Sequence, residues 1–381
     1  MSSRVTGPGH RPGRLLVRVR GAGVVGLAVA EELLRRGHRV EAVDPAPGSG
    51  ASHAAAGMLS PGGEAGPAVR DVVGLGRRSL VQWSALADRL GVGLHRTGTL
   101  LVAHDAGDRA DLDRHLDLLT DLGEPAERLT TARLRALEPR LARVAGGAWL
   151  PEDHSVDPRA VVAALLRRVP VRPVASSATA DAEVIATGAV LPQPWAHLVR
   201  PVRGEILRLR SEDPPERVVR GLVAGRPVYV VPRADGEVVV GATTEEHAGP
   251  PVVTAGGVHA LLDDARRLLP GLDRAVLGEA LARDRPGSAD GLPLVGLAPG
   301  AAAQAGPRTV LAAGLHRHGV LLAPLVAALV ADHVEGRADP VLGRLLDPGR
   351  HEPDSHDQTQ IHTQTQPQTQ PQTQPQTQEV R

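Results

Sequence analysis

Between Leu15 and Arg20 apolar and charged side chains alternate (Leu-Leu-Val-Arg-Val-Arg). A glycine-rich turn follows, Gly21-Ala22-Gly23-Val24-Val25-Gly26, and then Leu27–Arg36, whose apolar positions recur at helical spacing as far as Gly37, a residue suited to a helix C-cap. Arg39–Val43 reads as a second strand, ending at Asp44. The same spacing predicts helices over Val69–Leu90, Asp108–Leu122, Arg133–Leu141, Asp157–Arg168, His259–Leu269 and Gly319–Glu335, with Pro158 at a first helical position. Strands are predicted at His95–Ala103, Gly147–Leu150, Val171–Val174, Asp181–Gly188, Ala275–Ala282 and Thr309–Ala313. Arg200–Arg210, Arg217–Val223, Val228–Val231 and Glu237–Ala242 are alternating runs parted by Pro and Gly, the pattern of a half-exposed antiparallel sheet.

Parallel α/β elements thus lie at both ends and in the middle of the chain, with an antiparallel sheet between them. The expected architecture is α/β. A Rossmann-like nucleotide-binding domain is assembled from residues 15–80, 151–198 and 284–345, and an α+β substrate domain from 81–150 and 199–283. Residues 346–381 pass into a Gln/Thr/Pro repeat with too little apolar surface to build a core, and are expected to be disordered.

The glycine turn has a chemistry of its own. In G-x-G-x-x-G between strand and helix, Gly21 permits the tight turn, Gly23 lets a pyrophosphate approach the backbone, and Gly26 lets the helix lie close to the strand. The helix that follows aims free N–H groups and its positive dipole end at the phosphates. Asp44 lies 23 residues past Gly21, where such a fold places the carboxylate that accepts ribose hydroxyls. In a chain with 43 glycines, a βαβ turn without a ligand is the competing reading. Arg18 and Arg20 are unusual, because a central parallel strand is normally apolar on both faces.

Composition narrows the chemistry. The 381 residues hold 43 Lys plus Arg against 43 Asp plus Glu, so no charge excess points to nucleic acid or an anionic membrane. There is no cysteine, hence no disulfide, thiolate nucleophile or cysteine-ligated cluster, and no lysine, hence no Schiff-base cofactor. Phenylalanine is absent and Tyr229 is the sole tyrosine, so Leu, Val, Ala and Ile must fill the core. Met1–Arg14 lacks the apolar stretch of a signal peptide, and the longest apolar run, Leu311–Val334, is interrupted by His316, Arg317 and His318. The expectation is a cytoplasmic protein with no membrane or nucleic-acid partner; a homo-oligomer is left open.

Several segments, in order, resemble the FAD-dependent amino-acid oxidases of the D-amino-acid oxidase superfamily, and within it the glycine oxidases of thiamine biosynthesis. They are Ala54-Ala55-Ala56-Gly57-Met58-Leu59, Val228-Tyr229-Val230-Val231-Pro232-Arg233, Val239-Val240-Gly241-Ala242-Thr243, Arg285-Pro286-Gly287-Ser288 with Pro293-Leu294-Val295-Gly296, and Gly314–Leu322. The likeness covers residues 15–345. It implies that Val24, Val25 and Asp44 hold the ADP part of FAD, and that Ala51, Ser52, Ala56, Gly57 and Met58 lie along the flavin. It also implies a backbone contact near Val174, with Leu315, His316, His318, Gly319, Val320 and Leu321 wrapping the isoalloxazine. Arg285 corresponds to the arginine that pairs with the substrate carboxylate, Tyr229 to a tyrosine assisting it, and Arg317 to a second arginine lining the site.

Physical chemistry agrees with these roles without proving them. A planar guanidinium suits a bidentate carboxylate and keeps its charge when desolvated. The dipole of the helix starting at Gly319 favours negative charge on a reduced flavin. Surface-arginine readings compete for Arg285 and Arg317, and a half-buried sheet tyrosine competes for Tyr229. His316 and His318, two apart on a strand, would share a face, but no third metal ligand is evident and no metal is expected. The implied reaction passes a hydride from the α-carbon of glycine or a similar small amine to the flavin. Dioxygen is the acceptor, and the products are glyoxylate, ammonia and hydrogen peroxide, or an imine handed to thiazole-synthesis enzymes. Alternatives are a sarcosine or D-amino-acid oxidase, a NAD-dependent dehydrogenase, and a non-catalytic FAD-binding relative. Three departures from the family pattern stand out: a short Val174–Asp181 connection where the family has a β-meander, His318 where asparagine is common, and a lid and pocket without the family's usual aromatics.

Overall fold

A computed structural model describes residues 13–64, 70–246, 249–300 and 307–351. The Gln/Thr/Pro tail lies outside the described residues.

Strand-forming runs separate into three sheets. The first has the order Leu294–Leu297 (β16), Arg308–Ala313 (β17), Ala182–Ile185 (β10), Leu16–Arg20 (β1), Arg39–Val43 (β2) and Val171–Arg172 (β9). All its neighbours are parallel except the β16–β17 edge pair. The second has the order Val276–Gly287 (β15), Arg200–Arg210 (β11), Glu237–Gly241 (β14), Arg226–Pro232 (β13), Val218–Val223 (β12), Thr99–Ala103 (β5), Gly146–Leu150 (β7) and Glu127–Leu129 (β6). Met58–Leu59 (β3), His154–Val156 (β8) and Leu94–His95 (β4) form the third, smallest sheet. The helices are Val24–Arg35 (α1), Ala51–Ala54 (α2), Arg70–Leu90 (α3), Ala106–Asp121 (α4), Thr131–Leu137 (α5), Pro158–Leu166 (α6), Ala255–Leu268 (α7), Gly319–Val334 (α8) and Pro340–Leu345 (α9). None of the helices among the described residues is long and apolar enough to cross a membrane.

At β1 the first sheet is apolar on one face only, whereas Ile185 of β10, Leu294 of β16 and Leu311 and Ala313 of β17 pack in a separate apolar cluster. Val17 and Val19 of β1 are fully buried, in one cluster with Leu27 and Leu33 of α1 and Leu322 and Val326 of α8. On the opposite face register sets Arg18 beside Glu41 of β2 and Glu183 of β10. Arg18 donates Nε to Glu41 Oε2 (2.8 Å) and Nη2 to the carbonyls of Ser176 (3.2 Å) and Ala178 (2.7 Å), while Arg20 donates to Glu183 Oε1 (2.6 Å). The charged face that Arg18 and Arg20 announce in the sequence is therefore present, and both arginines on it are ion-paired. The connection between β9 and β10, residues 173–181, contains no helix or strand and instead lays backbone carbonyls over the charges. Arginine suits a face whose cover is a hydrogen-bonding loop, since a buried charge is tolerated only when paired and hydrogen-bonded.

The second sheet departs from expectation in two ways. β12 and β5 run parallel within an otherwise antiparallel sheet. It is also covered on both faces and not half-exposed: Leu100 and Val102 of β5 pack in a core with Leu261 and Leu268 of α7, while Leu101 and Ala103 pack against Leu112, Leu116 and Leu119 of α4. Farther along this second face Ile206, Val218, Val231 and Val239 receive Ala54 of α2 and Ala56 just after it. That seam brings the two large sheets to a common site. Across the first sheet, Ser79 Oγ and Trp83 Nε1 of α3 both donate to Leu321 O of α8 (2.6 and 2.9 Å), fixing the start of that helix.

Candidate functional site

The cradle is built first by what its residues lack. Gly21 has φ +99°, and a Cβ there would lie 2.3 Å from Ala186 O of the strand alongside, so only glycine fits. α1 begins with Gly23 as its N-cap, which has no side chain to cap the helix, and Ser52 Oγ accepts from Val24 N at 3.0 Å. Gly26 would place a Cβ 2.0 Å from Gly21 O. Gly26 serves the helix–strand contact and, unlike the other expected cofactor residues, does not line the cavity. Asp44 closes the turn: its Oδ2 accepts from Ala22 N (2.7 Å) and its Oδ1 from Ala46 N (2.8 Å).

From this cradle one cavity of about 1160 Å³ extends to the second sheet. Gly21, Gly23, Val24, Val25 and Asp44 line it on the first-sheet side; Ala51, Ser52, Ala56, Gly57 and Met58 line it from the connecting loop; and Val174 borders it from the segment after β9. Leu315, His316, Arg317, His318, Gly319, Val320 and Leu321 contribute from the turn into α8, and Tyr229 and Arg285 from the second sheet.

Two glycines make room for the polar side chains of the second sheet. The Arg285 guanidinium lies over Gly204 of β11, where a Cβ would come within 2.2 Å of its nitrogens, and Nη1 donates to the carbonyls of Arg203 and Thr243, both at 3.2 Å. Tyr229 lies over Gly241, its register partner on β14, whose Cβ would sit 2.4 Å from the phenol oxygen. β15 runs to Gly287, past the predicted end at Ala282, which takes Arg285 into the sheet. Sequence reasoning missed Gly204 and Arg220, both of which line the cavity. Arg220 pairs with Tyr229 across β12 and β13 and so shares its face. A glycine inside an apolar strand marks a close approach, and Gly204 carried that signal.

The turn into α8 is anchored to the end of β15. His316 takes a left-handed φ of +45° and its N–H donates to Pro286 O (2.7 Å), next to the Gly287–Leu315 bridge. His316 and His318 therefore stand in a turn and not on a strand, which removes the premise of a shared face. His318 is the N-cap of α8, is 4 % exposed and places no side-chain cap on the helix, so the dipole end opens on the cavity. Among the described residues one group, His104–Asp105–Asp108, has the proximity of metal ligands. Its carboxylates are engaged as an N-terminal capping box on α4, and Asp108 also accepts from Ala224 N and Gly225 N.

These residues fit a dinucleotide: two helix N-termini whose own N-cap residues supply no side-chain cap, a glycine cradle and a carboxylate open on one long cavity. The model of the family described as "FAD dependent oxidoreductase" (DAO) matches residues 17–333, and the chain belongs to that family. The bifunctional protein ThiO/ThiG of Trichormus variabilis is 33 % identical over 84 % of this chain and 53 % of its own length, so the chain spans about half of that relative. The putative thiamine biosynthesis oxidoreductase ThiO of Rhizobium etli is 36 % identical over 83 % of this chain and 95 % of that protein. The crystal structure of glycine oxidase from Geobacillus kaustophilus is similar with a TM-score of 0.78 and 31 % identity, covering 89 % of this chain and 99 % of that one.

Proposed function

We infer that the chain is an FAD-dependent amino-acid oxidase acting on glycine or a similarly small amine, in the cytoplasm, and that its imine product supplies thiazole synthesis. The carrying observation is the placement of Arg285 and Tyr229 on the same cavity as the cradle. The names of the relatives, glycine oxidase and ThiO, support the substrate and the pathway, and the ThiO/ThiG fusion supports a thiazole-synthesis partner.

In this reading segments 15–80, 151–198 and 284–345 hold FAD, and 81–150 with 199–283 hold the substrate, joined by Arg285 because β15 carries the second sheet on to Gly287. The α1 terminus at Gly23–Val25 receives the pyrophosphate, Asp44 the ribose, and Leu315–Leu321 the ring system. FAD, when bound, supplies the two-electron acceptor, which dioxygen restores. Arg285 clamps the substrate carboxylate, because its guanidinium is held flat over Gly204 and faces the cavity. Tyr229, flat over Gly241, donates to the same carboxylate, and Arg317 borders the entrance as the exposed arginine of the α8 turn. No protein base at the α-carbon is required if the amine is neutral when oxidised.

The purified protein is expected to be yellow, and glycine added without oxygen is expected to bleach it. Arg285→Leu should keep the flavin spectrum and lower kcat/KM on the order of a hundred- to a thousandfold, the worth of a lost charge-assisted carboxylate clamp. A wild-type protein that binds no flavin, or an Arg285→Leu variant with unchanged turnover, refutes this function.

A further inference from the structure

A second, small cavity lies behind the substrate side of the first. Its volume is about 20 Å³, enough for one water, and Arg77, Glu124, Glu152 and Asp153 are among its walls. A buried hydrogen-bonded pair links the walls of the two cavities. Ser60 (1 % exposed) shares its hydroxyl with Asp153 Oδ2 (4 % exposed), and Ser60 Oγ also accepts from Gly63 N at 3.1 Å. Gly63 lines the large cavity, whereas Asp153 lines the small one. A Cβ on Gly63 would lie 2.2 Å from Ser60 Oγ and 3.1 Å from Arg220 Nη1. The absence of a side chain at Gly63 is what lets the hydroxyl stand directly behind the cavity wall. Because Gly63 N occupies a lone pair of Ser60, the Ser60 proton is aimed at Asp153.

We propose that Ser60 and Asp153 form a proton outlet from the substrate cavity to the Glu124–Glu152 cavity. The proposal rests on the amino-acid oxidase reading, since such a substrate arrives as an ammonium and must shed one proton before its α-carbon can give up a hydride. An N–H bond of the ammonium breaks and the proton passes, through water of the large cavity, to Ser60 Oγ. Ser60 passes its own proton to Asp153 Oδ2. The ammonium has become a neutral amine and the Asp153 carboxylate a carboxylic acid, with no electrons moved. The Asp153 O–H then breaks toward water in the small cavity, and Arg77, which is ion-paired with Glu124, marks the exit to solvent.

The electrostatics suit the task. Burial pushes the Asp153 carboxyl up to about 7, opposed by the Ser60 bond, the neighbouring Thr99 hydroxyl and the charge of Arg220, and reinforced by Glu124. Glu124 is likewise raised by burial, against the pull of Arg77. A carrier that titrates near the working pH loads and unloads with little cost.

Rapid anaerobic flavin reduction by glycine, followed from about pH 6 to about pH 9, tests the outlet. The wild-type rate should rise through neutral pH. Asp153→Asn and Ser60→Ala should lose that limb and slow reduction by about tenfold or more at the upper end, with flavin absorbance retained, and Ser60→Thr should restore it. Independently of turnover, infrared difference spectra of the flavin-loaded wild type should show a buried carboxylic acid band that disappears near pH 7 and is absent from Asp153→Asn. Rates within about twofold of wild type across that range in both variants, or no such band in the wild type, overturn the proposal. A wild type that shows the band but oxidises no amine locates the failure in the oxidase reading.

Discussion

The two sides of the large cavity are made of different material. At the β1–α1 turn the site is backbone: Gly21, Gly23 and the first N–H groups of α1 shape it, and the one carboxylate present, Asp44, is itself held by two backbone amides. In the second sheet the site is long side chains, Arg285 and Tyr229, laid over glycines of neighbouring strands. A backbone site fails when an atom is added to it. A side-chain site fails when its floor is raised or its head group removed. The first kind depends on a few consecutive residues, whereas the second needs β11, β13, β14 and β15 in register.

Substitutions should separate the two sides. The largest effect is expected at Gly21→Ala, which combines a left-handed φ with a Cβ 2.3 Å from Ala186 O. A loss of at least about 3 kcal/mol of stability, with no retained flavin, is the expected result of thermal melting and absorbance. A variant that melts like wild type and stays yellow would show that the cradle is not rigid. Gly204→Ala comes next. Lifting the Arg285 guanidinium off the sheet should raise KM by roughly ten- to a hundredfold while leaving the flavin spectrum alone, and an unchanged KM would detach Arg285 from the substrate. The smallest effect concerns pH. Asp153 titrates at about 7 in the folded chain against 3.8 ordinarily, so between those values the folded state binds more protons than the unfolded. Stability should therefore fall as pH rises through that window, by at most about 1.4 kcal/mol for each pH unit. Asp153→Asn should flatten the dependence of Tm on pH and melt above the wild type at about pH 8; a variant that keeps the wild-type slope would assign it to other groups.

Legibility followed the same division. β2 and β11 begin and end where periodicity placed them, the family was legible in its motifs, and the candidate residues other than Gly26 line one cavity. β3, β8 and β16 were not, because strands of two to four residues are too short to show a period and exist only through their partners. α1 begins at Val24, three residues before the predicted start, since Gly23 caps it and Val24–Gly26 have no pattern to distinguish turn from helix. The puzzle of Arg18 and Arg20 dissolved once β2, β10 and the 173–181 connection were placed around them.

The sequence alone determined which residues could carry the chemistry: glycine spacing, the acid after the second strand, and the arginine ahead of Pro286-Gly287 are local facts, set by what each side chain can or cannot do. Only the tertiary structure decided that Gly204 and Gly241 floor the site, that the second sheet is covered on both faces, and that Ser60 meets Asp153 between two cavities. Those depend on which strands pair and in what register, and pairing between residues so far apart along the chain is settled by the burial of shared faces, which no local pattern encodes.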